Sequence, residues 1–101
     1  MDNLVATKLA LICCDQGVEP DVMEVLAAHG LNHYTSWTDC RGSGETGIRQ
    51  GNPVWPGLNT VIMIVMDADA VQPLVDDLHK VRDSFPMTPG LKVIVTDGII
   101  M

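Results

Sequence analysis

The segment Thr60 to Met66 reads TVIMIVM, seven strand-forming residues with no charge among them. Alternation along a strand sends Val61, Met63 and Val65 to one side and Ile62, Ile64 and Met66 to the other, so both sides are apolar. Such a strand belongs in the middle of a sheet whose two faces are both covered. Thr7 to Cys14, TKLALICC, is a second run of this kind, ended by Asp15-Gln16-Gly17; in it Leu9, Leu11 and Cys13 oppose Ala10, Ile12 and Cys14. Two central strands that are apolar on both sides restrict the chain to folds in which each face of the sheet meets something.

Helices supply one cover. Pro20 among Glu19, Asp21 and Glu24 marks a helix start, because acidic groups suit the positive end of the helix dipole. Val18, Val22, Val25 and Leu26 give that helix an apolar stripe, and Gly30 closes it as a C-cap. A second helix has Asp67 and Asp69 as candidate N-caps, with Val71, Leu74, Val75, Leu78, Val81 and Phe85 at helical spacing up to Pro86. Pro73 is expected in or near its first turn, where proline is tolerated. Leu31 to about Cys40, where the strand-compatible Tyr34, Thr35, Trp37 and Thr38 are mixed with polar residues, reads as an edge strand. Leu91 to Val95, extending toward Ile99, is the last strand and follows the turn residues Pro89-Gly90.

The order βαββαβ predicts an α+β, ferredoxin-like sandwich: one domain over residues 1–101, with an antiparallel sheet that carries both helices on one face. The other face would then be an apolar patch larger than monomers usually expose. Burying about 500 Å² of it per subunit would be worth about 12 kcal/mol before association costs. An oligomer packed through the open sheet faces is therefore expected; termini or a loop folded over the face are the alternative.

Between Thr38 and Asn59 the chain changes character: TDCRGSGETGIRQGNPVWPGLN holds five of the nine glycines and two of the six basic residues. A long stretch without a regular pattern is more often a binding element than a connector. Gly42, Gly44, Gly47, Gly51 and Gly57 let backbone amides come close to an anion, and Arg41 and Arg49 add forked cationic donors. The run Arg41 to Gly47 lacks the Gly-Lys-Ser/Thr ending of a phosphate-binding P-loop, and it follows an edge strand, the wrong context for a dinucleotide fingerprint. Trp37 and Trp55 bracket the stretch as candidate contact or anchor residues, with Val54-Trp55-Pro56-Gly57 reading as an anchor and a turn. A plain hairpin arm kept pliable by its glycines is the alternative.

The formal net charge of −7, with six widely spread cations, opposes a general nucleic-acid or anionic-membrane surface. No apolar run approaches the roughly 20 residues of a membrane span, and Met1-Asp2-Asn3 lacks a basic secretory start. Three cysteines, two of them adjacent, make no disulfide framework and fit a reducing compartment. A cytoplasmic protein is expected.

His29, His33, His79 and Cys40 are the candidate proton carriers and nucleophiles, and their spacing assembles neither a triad nor a carboxylate pair. His29 reads as a cap of the first helix, His79 as solvated, and Cys40 as the exposed thiol, with Arg41 beside it to favour the thiolate. A soft-metal site would need His33 with Cys40, or ligands from neighbouring subunits. Cys13 and Cys14 face opposite sides, and the end of the first strand is expected to lie away from that of the second. A cofactor-free enzyme with His33 as proton carrier and a metal-binding or metal-tolerance protein stand as alternatives.

The edge strand ending in Trp37, the glycine series Gly42 to Gly51 and Val54-Trp55-Pro56-Gly57-Leu58-Asn59 together resemble the PII-like signal-protein superfamily, as does the βαββαβ order. The resemblance implies a trimeric, non-enzymatic regulator whose T-loop, between the second and third strands, contacts ligands and partner proteins. It implies a small effector, an anion or a nucleotide-like molecule, in the clefts between subunits. Carried over position by position, it points to Arg41, Gly42, Gly44, Gly47, Arg49 and Gly51, with Trp37 and Trp55 at the base of the loop. The chain departs from nitrogen-regulatory PII proteins in two places. Its single tyrosine, Tyr34, lies outside the loop, so uridylylation is not expected. Ser84-Phe85-Pro86-Met87-Thr88-Pro89-Gly90 stands where they have a glycine- and lysine-containing phosphate loop, so the resemblance does not by itself carry over ATP or ADP binding of the usual kind, and a nucleotide or a small anion both stay open as the effector.

Overall fold

A computed structural model of the protein describes residues 4–41, 43–44, 47–48 and 58–101. Along the chain run β1 (Val5–Asp15), a 3-10 turn (Gln16–Val18), α1 (Glu19–Ala28) and β2 (Tyr34–Cys40). The short strands β3 (Ser43–Gly44) and β4 (Gly47–Ile48) come next, then β5 (Asn59–Met66), α2 (Ala68–Asp83) and β6 (Leu91–Ile100). The main sheet has the order β2-β5-β1-β6 with every neighbouring pair antiparallel, while β3 and β4 pair with each other. This is the expected α+β, ferredoxin-like sandwich.

The two-sided apolar strands do form the centre: β1 and β5 pair with Ile12 opposite Ile62 and Leu11 opposite Met63. The even-numbered side, Ala10, Ile12, Cys14, Ile62, Ile64 and Met66, is buried with Val18, Val22 and Leu26 from the first helical segment and Leu74 and Leu78 from α2. Both helices therefore lie on that face. No helix among the described residues is long and apolar enough to cross a membrane.

Local signals account for most boundaries. Gly30 takes a left-handed φ of +71°, its N–H reaches Ala27 O at 3.0 Å, and Leu31 N–H reaches Leu26 O at 2.9 Å. Leu31 thereby belongs to the end of α1, packed against the core, and β2 begins at Tyr34 rather than at Leu31 as the pattern suggested. Asp67 is the N-cap of α2, but through its backbone: its carbonyl accepts Ala70 N–H at 3.0 Å, and its side chain makes no capping bond. Pro73 lies inside α2 rather than in its first turn. Its missing N–H forgoes a bond to the carbonyl of Asp69, a loss made easier by its exposed position. β6 continues to Ile100, beyond the expected end, because β1 begins early enough to pair with it: Val5 lies opposite Ile100.

Candidate functional site

Sheet topology decides which residues meet. β1 and β2 both run antiparallel to β5, so they run parallel to each other and their C-terminal ends lie at the same end of the sheet. This corrects the expectation that they lie apart: Asp15 and Cys40 both pair with Asn59, from opposite sides of β5. His33 precedes β2 and Cys40 ends it. A strand rising about 3.3 Å per residue separates them by about 23 Å, so they form no joint site within one subunit. Among the described residues no group of three or more His, Cys, Asp or Glu side chains could hold a metal ion.

At the shared end, three segments converge on Asp15 and Gln16. Asp15 is fully buried. Its backbone N–H donates to Gly90 O at 2.9 Å, and its carboxylate Oδ2 accepts Gly90 N–H at 2.5 Å. As β1 turns off into the 3-10 turn, this carboxylate accepts the Gly90 N–H at the last rung of the β1–β6 ladder. Gln16 N–H donates to Leu58 O at 3.0 Å, and its side-chain amide Nε2 donates to Asp39 Oδ1 at 2.6 Å. Nearby, buried Thr60 donates its hydroxyl to Glu19 Oε2 at 2.6 Å, which joins β5 to the start of α1.

Asp39 has a left-handed φ of +58° and sits where the β2–β5 register shifts between Trp37 and Cys40. Aspartate tolerates that conformation better than most residues, whereas a β-branched side chain would be strained there. Immediately after this irregularity the Cys40 thiol donates to Trp37 O and Thr38 O, at 3.8 and 3.7 Å. Arg41 follows, exposed. β3 and β4 then pair Ser43 with Ile48 and Gly44 with Gly47, a short ladder in a stretch that showed no regular pattern. Gly42, Arg49, Gly51 and Trp55, also expected in the site, lie outside the described residues.

Trp37 is 48% exposed and projects from the sheet face away from the helices, in one row with Val61, Cys13 and Lys92. The next row is Thr35, Met63, Leu11 and Ile94. This open face is the apolar second face expected from the sequence. Cys13 lies on it, partly exposed, so Cys40 is not alone among the thiols in reaching the surface. Cys14 points the other way; burial pushes its thiol up to about 12, with electrostatic repulsion from Glu19, Cys13 and Asp15 adding to the effect. It therefore carries no thiolate chemistry at neutral pH.

His29 is the C-cap of α1, as expected, and also reaches α2, where its Nε2 lies 2.6 Å from Asp77 Oδ2. That hydrogen bond, with Lys80 assisting, holds the Asp77 carboxyl below its usual range. His79 is exposed. Asp15, Gln16, Asp39 and Gly90 were not legible as a cluster. Asp15-Gln16 read as a strand terminator and Gly90 as a turn residue, and only the parallel course of β1 and β2 brings Asp39 to them.

No protein-family model matches the chain, and no curated protein sequence matches it. Solved structures do match it in shape. One is CPII from Thiomonas intermedia K12, a nitrogen regulatory PII-like protein bound to ADP, AMP and bicarbonate; it is 18% identical over 97% of this chain and 96% of that one, with a TM-score of 0.78. A second is a PII-like signalling protein from Thermus thermophilus, 23% identical over 97% and 92% of the two chains, with a TM-score of 0.71. A protein of unknown function from Pediococcus pentosaceus matches at 17% identity over 89% of each chain, with a TM-score of 0.64. The arrangement of four strands and two helices, over nearly the whole length, is the PII-like, ferredoxin-like fold.

Proposed function

We propose that the protein is a non-enzymatic PII-like sensor: a cytoplasmic homotrimer that binds a small anionic or nucleotide-like effector between subunits and reports it to a protein partner through its T-loop. The observation that carries this reading is the sheet itself, helix-covered on one face and apolar on the other, with the glycine-rich stretch leaving one end of it beside Asp39, Cys40 and Arg41. An open face bearing Leu11, Met63, Val65 and Ile94 favours assembly with further copies. Assembly brings an edge of one sheet and the base of its loop next to another subunit. Arg41, with Gly42, Gly44, Gly47, Arg49 and Gly51, supplies donors for an anion there, and Trp37 and Trp55 supply rigid contact area. The whole chain serves as one domain, and residues 38–59 are its signalling element. The excess of acidic residues argues against nucleic acid as the partner.

ADP, AMP and bicarbonate, the ligands of CPII, are the first effectors to try. The test is a thermal-shift screen of the purified oligomer against these three, other nucleotides, 2-oxo acids and divalent metals, because a ligand that prefers the native state raises the melting temperature. A selective shift with a nucleotide or anion, lost in Arg41→Ala, supports the sensor. A shift with Zn²⁺ or Cu²⁺ alone overturns it in favour of metal binding. Mass measurement in solution reads the trimer directly, and a monomer at micromolar concentration refutes that part of the proposal.

A further inference from the structure

β1 and β6 outrun the rest of the sheet. β5 stops at Met66, opposite Lys8, whereas β1 and β6 go on pairing through Thr7 with Gly98, Ala6 with Ile99 and Val5 with Ile100. The Thr7 hydroxyl donates to the Met66 carbonyl at 3.0 Å and so closes the end of β5 where this two-stranded ribbon departs. A ribbon of two strands is marginal in water by itself. This one carries exposed apolar side chains: Val5 is 62% and Ile100 42% exposed on the open side of the sheet, and Ile99 is 72% exposed on the other.

Gly98 stands in the ribbon on the open side, between the pairs Val5–Ile100 and Leu9–Thr96. The usual internal reasons for a glycine do not apply there. Its φ is not in the left-handed region, which among the described glycines only Gly30 occupies. The β1–β6 register runs through it without a shift. A Cβ added to it would lie 3.5 Å from Thr7 Cγ2 and 3.9 Å from Leu9 Cβ, ordinary van der Waals contact. Glycine weakens a strand interior, and where neither φ nor a bulge demands it, it commonly marks the close approach of another group. Gly98 is thus a notch that the described part of the subunit does not need.

The charge pattern says what fits it. The five odd-numbered residues of β1 from Val5 to Cys13, with the residues paired to them across the sheet, include one charged side chain, Lys92, in a chain with thirteen acidic residues. Identical copies, each with a net charge of −7, approach most readily where carboxylates are absent. A foreign partner is selected through complementary charge, which a single lysine offers poorly, and interfaces between copies are the more apolar class.

We propose that Gly98 is a contact point for self-association: the open side of the ribbon packs on a second copy of this chain, and a group of that copy enters the notch. The inference rests on the assembly part of the sensor reading and is independent of any effector.

The test is Gly98→Val, with assembly followed by sedimentation over a range of concentrations and subunit stability by denaturation at the lowest of them. Filling the notch should raise the dissociation constant of assembly by about ten-fold, the effect of modest overpacking. The unfolding midpoint of the dissociated subunit should hold or rise, because valine suits a strand better than glycine. Gly98→Ala should shift both readouts in the same directions by less.

An unchanged dissociation constant in Gly98→Val overturns the notch and leaves assembly through the rest of the face standing. A midpoint lowered equally at every concentration also overturns it, since the notch is then filled from within the chain. A parent protein that is monomeric at micromolar concentration removes the assembly reading and this inference together. Should Gly98→Val not fold, the unmodified oligomer decides through the access of a paramagnetic cosolute to its methyl groups. Val5 and Ile100 sheltered while Ile99 stays accessible support the proposal, and equal access to all three overturns it.

Discussion

The two faces of the sheet are built from the same strands and much the same residue types, yet they end in opposite circumstances. On the helix side Ile62 and Ile64 are at most 1% exposed, whereas on the other side Val65 is 41% and Ile94 55% exposed. The edge strand β2 is exposed on both sides over nearly its whole length; it pairs with β5 on one side, and Gln16 reaches its residue Asp39. Apolar residue type therefore does not make a core by itself; a core needs a second layer at about 10 Å. The helix face has its layer within the chain, whereas Val65 and Ile94 on the open face stay exposed.

Changing equivalent residues on the two faces sharpens that contrast. Ile62→Ala, on the helix face, should cost about 3 kcal/mol in denaturant unfolding, because the buried cavity cannot collapse between β1, β5 and the helices. Met63→Ala, one residue along and on the open face, should cost an isolated subunit well under 1 kcal/mol but weaken assembly by about 2 kcal/mol. The concentration dependence of unfolding separates the two terms. If Met63→Ala instead behaves like Ile62→Ala at every concentration, the open face is covered within the chain and the contrast fails.

Smaller effects test the ties at the helix side. Thr60→Val keeps shape but removes the donor to Glu19, and should cost about 1 kcal/mol at neutral pH by chemical denaturation. The smallest effect is in acid. Asp77 is held low by the His29 hydrogen bond and then by Lys80, and Asp97 on the sheet ribbon is held low by its bond to Lys8. Both carboxyls titrate lower in the folded than in the unfolded chain. They therefore stabilise above the ordinary aspartate value of about 3.9, and that stabilisation is lost as pH falls through the depressed folded values. His29→Ala should remove part of this acid-labile stability, seen as a smaller drop in unfolding midpoint between pH 6 and pH 3, with the open face unaffected.

Much of the architecture was legible because local signals agreed with the global fold. Alternation in TVIMIVM and TKLALICC assigned Ile12 and Ile62 to one face and Leu11 and Met63 to the other, as the register confirms. Helix ends followed from Gly30 and from Pro20. Pro73 was misplaced because a surface proline inside a helix leaves no mark in the hydrophobic periodicity. Of the residues expected at the site, the structure describes Trp37, Arg41, Gly44 and Gly47, whereas Gly42, Arg49, Gly51 and Trp55 lie outside the described residues; the contacts among Asp15, Gln16, Asp39 and Gly90 were not legible, because they join segments far apart in sequence.

What the sequence determined by itself was periodicity: which stretches are strands and helices, and that two strands are apolar on both sides, since side-chain alternation is a property of the local backbone. What only the tertiary structure decided was neighbourhood across sequence distance. That β1 and β2 finish at the same end, that Gln16 reaches Asp39 and that Asp15 closes on Gly90 all depend on strand order and direction. Local pattern carries no information about these, because a strand's alternation is the same whichever neighbour it pairs with.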